Sequence, residues 1–480
     1  MKKGHIVKIK LIGILQFIAI YFSFSTVAIS QTPLSPQSDQ VLLLGIYKEL
    51  VEINTTDSVG SCTIAAEAMS KHLKKAGFDQ NNINLIIPDG GPKKGNLVVT
   101  IKGKNSLLKP ILLLAHIDVV EANREDWERD PFKLIEENGN FYARGAADDK
   151  SMAAIYVANL IRMKAEQFVP ERGIVMALTC DEEKIPSKFN GVEYLLKNHR
   201  ALIDAEFAIN EGADNLVTPD GTKVFVAVMA SEKVFQTFTF EVTNPGGHSA
   251  RPRKDNAIYD LAKGLVNLGN FAFPVQLNDV TKAYLEKMSK FETGQLSQDL
   301  LAISKNHYSK DVLIRMSDKP YYDNLLRTTC VATMLSAGHA TNALPQRAKA
   351  TVNCRILPGA SVEEVYQTLQ KVVANDKIKI TPDHEAVKSP PSPLTPKIMN
   401  AVSSVAEQIF PGLPIVPTMI VATTDGRFLN NAGIPTYGIN GMFKDANGGF
   451  IHGLNERLPV SSLFEGQEFL YRLTKRLVSE

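Results

Sequence analysis

Histidine and carboxylate side chains follow apolar stretches of this 480-residue chain, and these residue types suit the binding of divalent metal ions. His116 and Asp118 come directly after the aliphatic residues 111–114, which predict a strand buried on both faces. Residues two apart along a strand lie on the same side. His116 could therefore bind a metal while Asp118 accepts the proton of the other ring nitrogen, a carboxylate–histidine–metal arrangement.

Acidic residues stand at three further places, two of them predicted strand ends. Asp148 lies in the turn-like stretch RGAADDK, Glu182 and Glu183 lie in TCDEE, and Glu211 lies in NEG. One carboxylate can bridge two ions such as zinc that lie about 3.5–4 Å apart. The two ions together can then hold a hydroxide nucleophile. Of two adjacent glutamates, one can bind metal while the other takes a proton from water. Each acidic pair alone is typical of a solvated surface, but their joint occurrence at strand ends predicts a site.

The elements that must position these residues alternate between helix and strand from about residue 41 to residue 212. Apolar runs predict strands at 97–101, 111–115, 174–179 and 206–210, and periodic patterns predict helices around 65–76, 151–167 and 192–200. Such alternation predicts an α/β fold with a mostly parallel central sheet. Sites in open α/β sheets gather at the carboxyl ends of the strands.

The pattern changes between residues 233 and 387, where we predict a compact α+β insert. Strands are predicted at 234–242, 349–356 and 377–381, with helices over 258–268 and after a capping box at Ser361 and Glu364. One more strand could not be placed, and residues 273–326 fit the pattern poorly. The catalytic domain is therefore predicted in two parts, 31–232 and 388–480, separated by an inserted lid or dimerisation domain.

The composition excludes some functions, and the amino-terminal residues predict export. A net charge of +2 with 22% charged residues gives no reason to expect a nucleic-acid partner. Residues 1–30 place four lysines before a long apolar run and end in small residues, as secretory signal peptides do. We expect a periplasmic or extracellular protein without stable membrane insertion after cleavage. An uncleaved anchor is the alternative.

The cysteines do not predict a metal site. Their spacings match no metal-binding motif, and their pairing cannot be deduced from the sequence. Cys180 and Cys354 lie in strand-like apolar runs, so we expect them to be free and buried.

Nine motifs, taken in order, resemble those of the M20 family of metallopeptidases. They are HIDVV, DWERDPF, FYARGAADDK, DEE, NEG, GGHSA, NALP with CRILPG, TTDGR and HGLNER. The resemblance extends from about residue 41 to residue 480. It implies a dizinc-exopeptidase-like catalytic domain with an inserted lid. It also implies hydrolysis of an amide bond in a peptide or N-acyl amino acid with a free carboxylate, as in carboxypeptidases and aminoacylases.

By motif position, the resemblance also implies the roles of individual residues. Two divalent ions per chain are expected, zinc first and cobalt or manganese as alternatives. Asp118 would orient a histidine ligand, and Glu182 would serve as general base and acid. The implied ligands are His116, Asp148 and Glu211 for one ion, and Asp148, Glu183 and His452 for the other.

The resemblance further implies that the lid contributes His248, Asn342 and Arg355 to substrate binding. His248 would stabilise the oxyanion, and Arg355 would bind the substrate carboxylate unless it pairs with an acidic neighbour in the lid. The lid could also join two chains into a homodimer. Two alternatives stay open: a dimetal aminopeptidase with the same core, and a non-catalytic descendant that binds metal or peptide. The presence of Glu182 and of all five implied ligands argues against the second.

Overall fold

A computed structural model describes residues 36–479 of the chain, and its helices and strands have the following bounds. The helices are α1 (Pro36–Glu52), α2 (Cys62–Lys75), α3 (Lys150–Ala165), α4 (Gly191–Asn198), α5 (Arg200–Ile203), α6 (Ala257–Gly269), α7 (Asp279–Met288), α8 (Gly294–Ser304), α9 (Lys310–Ser317), α10 (Pro320–Leu326), α11 (Val362–Val373), α12 (Pro396–Ile409), α13 (Gly426–Asn431) and α14 (Val460–Val478). The strands are β1 (Ile83–Ile86), β2 (Asn96–Ile101), β3 (Ile111–His116), β4 (Ile135–Glu137), β5 (Asn140–Tyr142), β6 (Ile174–Thr179), β7 (Ala208–Asn210), β8 (Leu216–Val217), β9 (Lys223–Glu232), β10 (Val234–Thr243), β11 (Gly247–His248), β12 (Thr329–Ala337), β13 (Ala343–Leu344), β14 (Arg347–Ile356), β15 (Lys379–Pro382), β16 (Ile415–Ile420), β17 (Thr436–Gly438) and β18 (Arg457–Pro459).

The larger sheet confirms the predicted α/β fold. Its strands lie in the order β1-β2-β6-β3-β7-β17-β9-β16, with β8 beside β9. Parallel pairs join β6, β3, β7 and β17 at the centre, and β16 to β9. Antiparallel pairs join β1 to β2, β2 to β6 and β17 to β9. Strand β3 therefore lies at the centre of the sheet, flanked on both sides by parallel neighbours.

The aliphatic residues of β3 explain why this strand is central. Ile111 and Leu113 belong to the main hydrophobic core, which also contains residues of α1, α3 and α14. Leu112 and Leu114 belong to a second core, shared with α4 and α13. This alternation follows the two-residue period of a strand covered by helices on both faces. Because neither face meets water, residues 111–115 of the strand are all apolar.

A smaller antiparallel sheet, in the order β12-β14-β10-β15, lies within the range predicted for the insert. It has its own core with α6 and α11, including Phe238 and Phe240. The predicted capping box of α11 is confirmed: the Ser361 hydroxyl accepts from the amide of Glu364, and the Glu364 carboxylate accepts from the amide of Ser361, both at 3.0 Å. The strand that could not be placed from the sequence is β12. We refer to this sheet with α6 and α11 as the lid.

The segment that fitted the predicted insert poorly forms four helices, α7 to α10. Their apolar side chains join the main core of the large sheet rather than the core of the lid; these include Val280, Leu285, Leu300, Ile303 and Leu326. The range 233–387 therefore contains a lid and a helical segment that extends the catalytic core.

The expectation that Cys180 and Cys354 are free was wrong, because disulfides join Cys62 to Cys180 and Cys330 to Cys354. Both predicted cysteines are buried, as expected. Cys330 and Cys354 are opposite each other on β12 and β14, so their pairing depends on the strand that the sequence did not locate. The other pair depends on the packing of α2 beside the end of β6.

The predicted signal peptide, residues 1–30, lies outside the described residues, so export stays a prediction. Across residues 36–479, no helix has both the length and the apolar character needed to cross a bilayer.

Candidate metal centre

Neighbouring strands bring most of the predicted ligands to one edge of the large sheet. His116 is the last residue of β3 and lies opposite Thr179, the last residue of β6. Glu183 follows β6 and Glu211 follows β7, the strands that flank β3. Because these three strands are parallel, their carboxyl ends meet at the same edge.

The remaining two ligands come from loops. Asp148 lies in the turn before α3, and His452 lies in the loop between β17 and β18. Residues 148 and 452 thus reach the sheet edge from opposite halves of the sequence. The structure brings all five predicted ligands together.

Asp148 lies between the two histidines. Its Oδ1 is 2.9 Å from Nε2 of His116, and its Oδ2 is 3.3 Å from Nε2 of His452. Nε2 of His116 also lies 3.7 Å from Oε2 of Glu211, and Nε2 of His452 lies 2.9 Å from Oε2 of Glu183. Asp148 thus lies next to both histidines, and each histidine also has a different glutamate nearby.

These separations fit two divalent ions that share Asp148. Zinc bonds to nitrogen and oxygen of about 2.0–2.1 Å, arranged tetrahedrally, place neighbouring ligand atoms roughly 3.3 Å apart. The measured separations of 2.9–3.7 Å bracket that value. The donor set of imidazole and carboxylate also suits zinc and similar borderline ions.

Asp118 holds the segment that follows β6. Its two carboxylate oxygens accept hydrogen bonds from the amides of Glu182 at 3.2 Å and Glu183 at 3.1 Å. Nδ1 of His116 lies 3.1 Å from the main-chain carbonyl oxygen of Asp118 and 3.6 Å from its carboxylate. The ring of His116 therefore lies closer to the carbonyl of Asp118 than to its carboxylate. The carboxylate instead binds the backbone amides of Glu182 and Glu183. Contacts of this kind orient metal ligands in known metal sites, which agrees with the role predicted for Asp118.

The charges within this cluster shift the pKa values of its members. Hydrogen bonds to Asp148 and Glu183 raise the pKa of His452 to about 10. Burial, followed by the charge of Asp148, raises the pKa of Glu183 to about 7. Burial opposes ionisation of Asp148, but its bonds to His116 and His452 hold its pKa well below the usual range. Metal ions bind the deprotonated ligands, so metal binding would release protons.

Comparison with known proteins identifies the family. The model of peptidase family M20/M25/M40 matches residues 112–476, a range that includes all five predicted ligands. The chain belongs to this family. The M20 resemblance of the motifs is thereby confirmed.

Named relatives and solved structures agree with the M20 assignment. The probable carboxypeptidase S-like 2 of Dictyostelium discoideum is 30% identical over 390 residues, 79% of this chain and 74% of the relative. The mouse N-fatty-acyl-amino acid synthase/hydrolase PM20D1 is 29% identical over 458 residues, 91% of this chain and 88% of the relative.

Two M20 structures share the fold at low identity. A metallo-carboxypeptidase of Sulfolobus solfataricus is 19% identical with a TM-score of 0.68, and the match covers 91% of this chain and 99% of that one. The YXEP protein of Bacillus subtilis, a dinuclear metal binding peptidase, is 12% identical with a TM-score of 0.58, and the match covers 92% and 99%. These structures support the α/β fold.

In this M20 chain, Glu182 is buried beside the ligands. A carboxylate oxygen of Glu182, Nε2 of His116 and a carboxylate oxygen of Glu211 lie within 4.8 Å of one another. Burial, followed by the charge of Glu211, raises the pKa of Glu182 well above its usual range. Nη1 of Arg427 lies 3.7 Å from Oε1 of Glu182. Sequence reasoning did not single out Arg427, although it lies in the TTDGR motif.

Among the described residues, no hydrogen bond or ion pair joins the predicted substrate residues to the predicted metal ligands. His248 is exposed, and its Nδ1 accepts a hydrogen bond from the amide of Ala250 at 3.1 Å. The carbonyl of Asn342 accepts from the amide of Ser249 at 3.0 Å, so His248 and Asn342 lie side by side. Between residues 36 and 479, no hydrogen bond or ion pair joins His248 to any of the five ligands.

Arg355 lies on a different strand from His248, near the end of β14. Its guanidinium group stacks over the ring of Phe235 at 4.7 Å, and that ring stacks on His384 with centroids 5.6 Å apart. Burial lowers the pKa of Arg355. Within the described part of the chain Arg355 has no ion pair, so pairing with an acidic neighbour in the lid is not observed.

Proposed function

We propose that this M20 protein is a dizinc amidohydrolase that acts on N-acyl amino acids or peptides with a free carboxylate. The observation that carries the proposal is the position of Asp148, whose two oxygens face different histidines at 2.9 and 3.3 Å. Each histidine has a glutamate beside it, and Glu182 is buried next to the cluster. One ion would take His116, Asp148 and Glu211, and the other Asp148, Glu183 and His452.

Glu182 is proposed as the residue that moves the proton. Two bound zinc ions would polarise the scissile carbonyl and acidify the attacking water. Glu182 takes the proton from that water and returns it to the leaving amine. Its position favours this role, because the buried Glu182 carboxylate lies within 4.8 Å of the nearest ligand atoms of His116 and Glu211.

Arg355 is proposed to select the substrate by its carboxylate. A guanidinium group offers a planar pair of donors that matches a carboxylate, and Arg355 is partly buried with no acidic partner among residues 36–479. The Dictyostelium relative is named a carboxypeptidase, and the mouse relative is named for N-fatty-acyl amino acids. Both kinds of substrate present a carboxylate near the amide bond, so one arginine would serve either.

His248 is proposed to act in the site of a second chain. It is exposed, and within residues 36–479 no hydrogen bond or ion pair joins it to the proposed ligands. Strand β12 forms an edge of the lid sheet and exposes Val331, Met334 and Leu335. A homodimer through this edge would cover those apolar side chains and bring His248 towards the partner's centre, where it would donate to the oxyanion. Export, guided by residues 1–30, is part of the same proposal.

The first test replaces the proposed base. Glu182→Gln should keep the fold and both ions while kcat falls by about 10²–10⁴-fold, the usual contribution of a general base. Glu128→Gln, at an exposed position outside the site, is the matched control. If Glu182→Gln keeps near-native kcat, another residue is the base and the mechanism is wrong.

The second test examines the substrate carboxylate. Because a charge-assisted hydrogen bond contributes about 1.5–3 kcal/mol, kcat/KM should favour an N-acyl amino acid over its amide by at least roughly tenfold. Arg355→Ala should remove most of that preference, whereas Arg347→Ala, an exposed arginine on the same strand, should keep it. Equal rates for acid and amide in the wild type would contradict carboxylate recognition and favour an aminopeptidase.

A further inference from the structure

A buried ion pair lies beneath the metal centre, between Arg144 and Glu456. Nη1 of Arg144 donates to Oε2 of Glu456 at 2.7 Å, and the two side chains are 3% and 1% exposed. The guanidinium carbon of Arg144 also lies 5.0 Å from the ring centre of buried Trp127. Neither charged residue is among the proposed ligands, so the pair has no role in the chemistry described above.

The Glu456 carboxylate holds the turn that carries Asp148. Its Oε1 accepts from the amides of Ala147 at 2.9 Å and Asp148 at 3.1 Å. Its Oε2 accepts from the amide of Gly145 at 3.1 Å as well as from Arg144. A carboxylate has about four acceptor sites, and all four are used here. Glu456 is therefore committed to this turn and has no capacity left to bind a metal.

The Arg144 guanidinium holds the loop that carries His452. Its Nη2 donates to the carbonyl of Gly453 at 3.0 Å and lies 3.4 Å from the carbonyl of His452. Glu456 belongs to the same loop, and its own carbonyl accepts from the amide of Ala143 at 3.2 Å. One ion pair thus ties the segment of Asp148 to the segment of His452, which lie about 300 positions apart in the sequence.

We propose that Arg144 and Glu456 are positioning residues that set the separation of Asp148 and His452, and thereby the affinity of the ion these two share with Glu183. The inference rests on the proposed function and goes beyond its ligands. The other ion depends less on the pair, because His116 and Glu211 are held by β3 and by the end of β7. Loss of the pair should therefore weaken the two ions unequally.

The test measures zinc binding to metal-free protein by calorimetry, with a competing chelator, in Glu456→Gln and Arg144→Lys. Glutamine places an amide donor where Oε1 or Oε2 accepts, so at least one bond to the turn is lost. Lysine keeps the charge but cannot contact the carboxylate and the carbonyls together. Residues that orient metal ligands typically contribute 10–100-fold to affinity. We expect a loss of this size in the affinity for the zinc ion bound by Asp148, Glu183 and His452. The affinity for the other zinc ion should change less.

Asp299→Asn provides the control. Asp299 in α8 accepts two hydrogen bonds of 2.7 Å from Arg315 in α9, and this variant weakens that ion pair. It should change thermal stability and leave both zinc affinities unchanged. If Glu456→Gln fails to fold, the milder Arg144→Lys decides the question. Unchanged affinities in folded variants, or an equal loss for both equivalents, would overturn the positioning role. A wild-type protein that binds no zinc would instead refute the proposed function.

Discussion

Removal of the disulfide between Cys62 and Cys180 should destabilise this protein strongly. The bond joins residues 118 positions apart, and in the chain-entropy account a closed loop of that length contributes about 5 kcal/mol. The bond between Cys330 and Cys354 spans 24 positions, for which the same relation gives about 3.5 kcal/mol. The double variant Cys62→Ala, Cys180→Ala should therefore lose more stability than the double variant at 330 and 354.

Catalysis should survive the same change better than stability does. Cys180 lies two positions before Glu182, but the segment is held by other bonds. The amide of Cys180 donates to Asn96 at 3.0 Å, and Asp118 accepts from the amides of Glu182 and Glu183. Below the unfolding transition, the variant should keep most of its activity.

The assay is urea unfolding in the presence of a chelator, so that metal binding does not contribute to the measured free energy. Stability is taken from the transition midpoint and slope. Wild-type protein treated with a thiol reductant should approach the behaviour of the two double variants combined. A loss below about 2 kcal/mol for the 62–180 variant, or a larger loss for the 330–354 variant, would refute the chain-entropy reasoning.

Three further predictions concern the site and its surroundings. Asp148→Ala should lose both metal equivalents, since both ions share this residue; elemental analysis that still finds two would exclude the shared ligand. Mixing inactive His248→Ala with inactive Glu182→Gln should restore some activity in heterodimers, and no recovery despite proven subunit exchange would place the site within one chain. Burial raises the pKa of Glu232 from 4.5 to about 6, which corresponds to roughly 2 kcal/mol. Because the folded protein holds that proton more tightly, this stabilisation is complete below pH 4.5 and lost as the pH rises through 6; Glu232→Gln should flatten the unfolding free energy over that range.

Local sequence patterns predicted those elements that can be recognised from neighbouring residues in the sequence alone. Strand β3 is apolar on both faces, so its sequence was sufficient to identify it and to place His116 at its end. The capping box of α11 was equally clear, because the side chains of Ser361 and Glu364 each accept a hydrogen bond from the other's backbone amide, three positions away. The expected ligands were indicated by residue type and by the resemblance of the motifs to the M20 family.

Other features depend on contacts that no local pattern carries. Helices α7 to α10 are amphipathic, but their sequence does not say which of two cores their apolar faces join. The disulfide from Cys62 to Cys180 requires the packing of α2 on the end of β6. The roles of Arg144 and Glu456 likewise appear only when two distant motifs meet, although each residue lies within a motif that the sequence made conspicuous.

The wide spacing of the ligands along the chain has a consequence for how the site assembles during synthesis. A ribosome makes a protein from its amino end, so His116, Asp148, Glu183 and Glu211 all exist before His452 has been translated. At about 5–20 residues per second, the wait before His452 is on the order of tens of seconds. During that interval the proposed ligand set would be complete for only one of the two ions. Early termination anywhere before residue 452 would therefore yield fragments that lack a proposed ligand of the second ion.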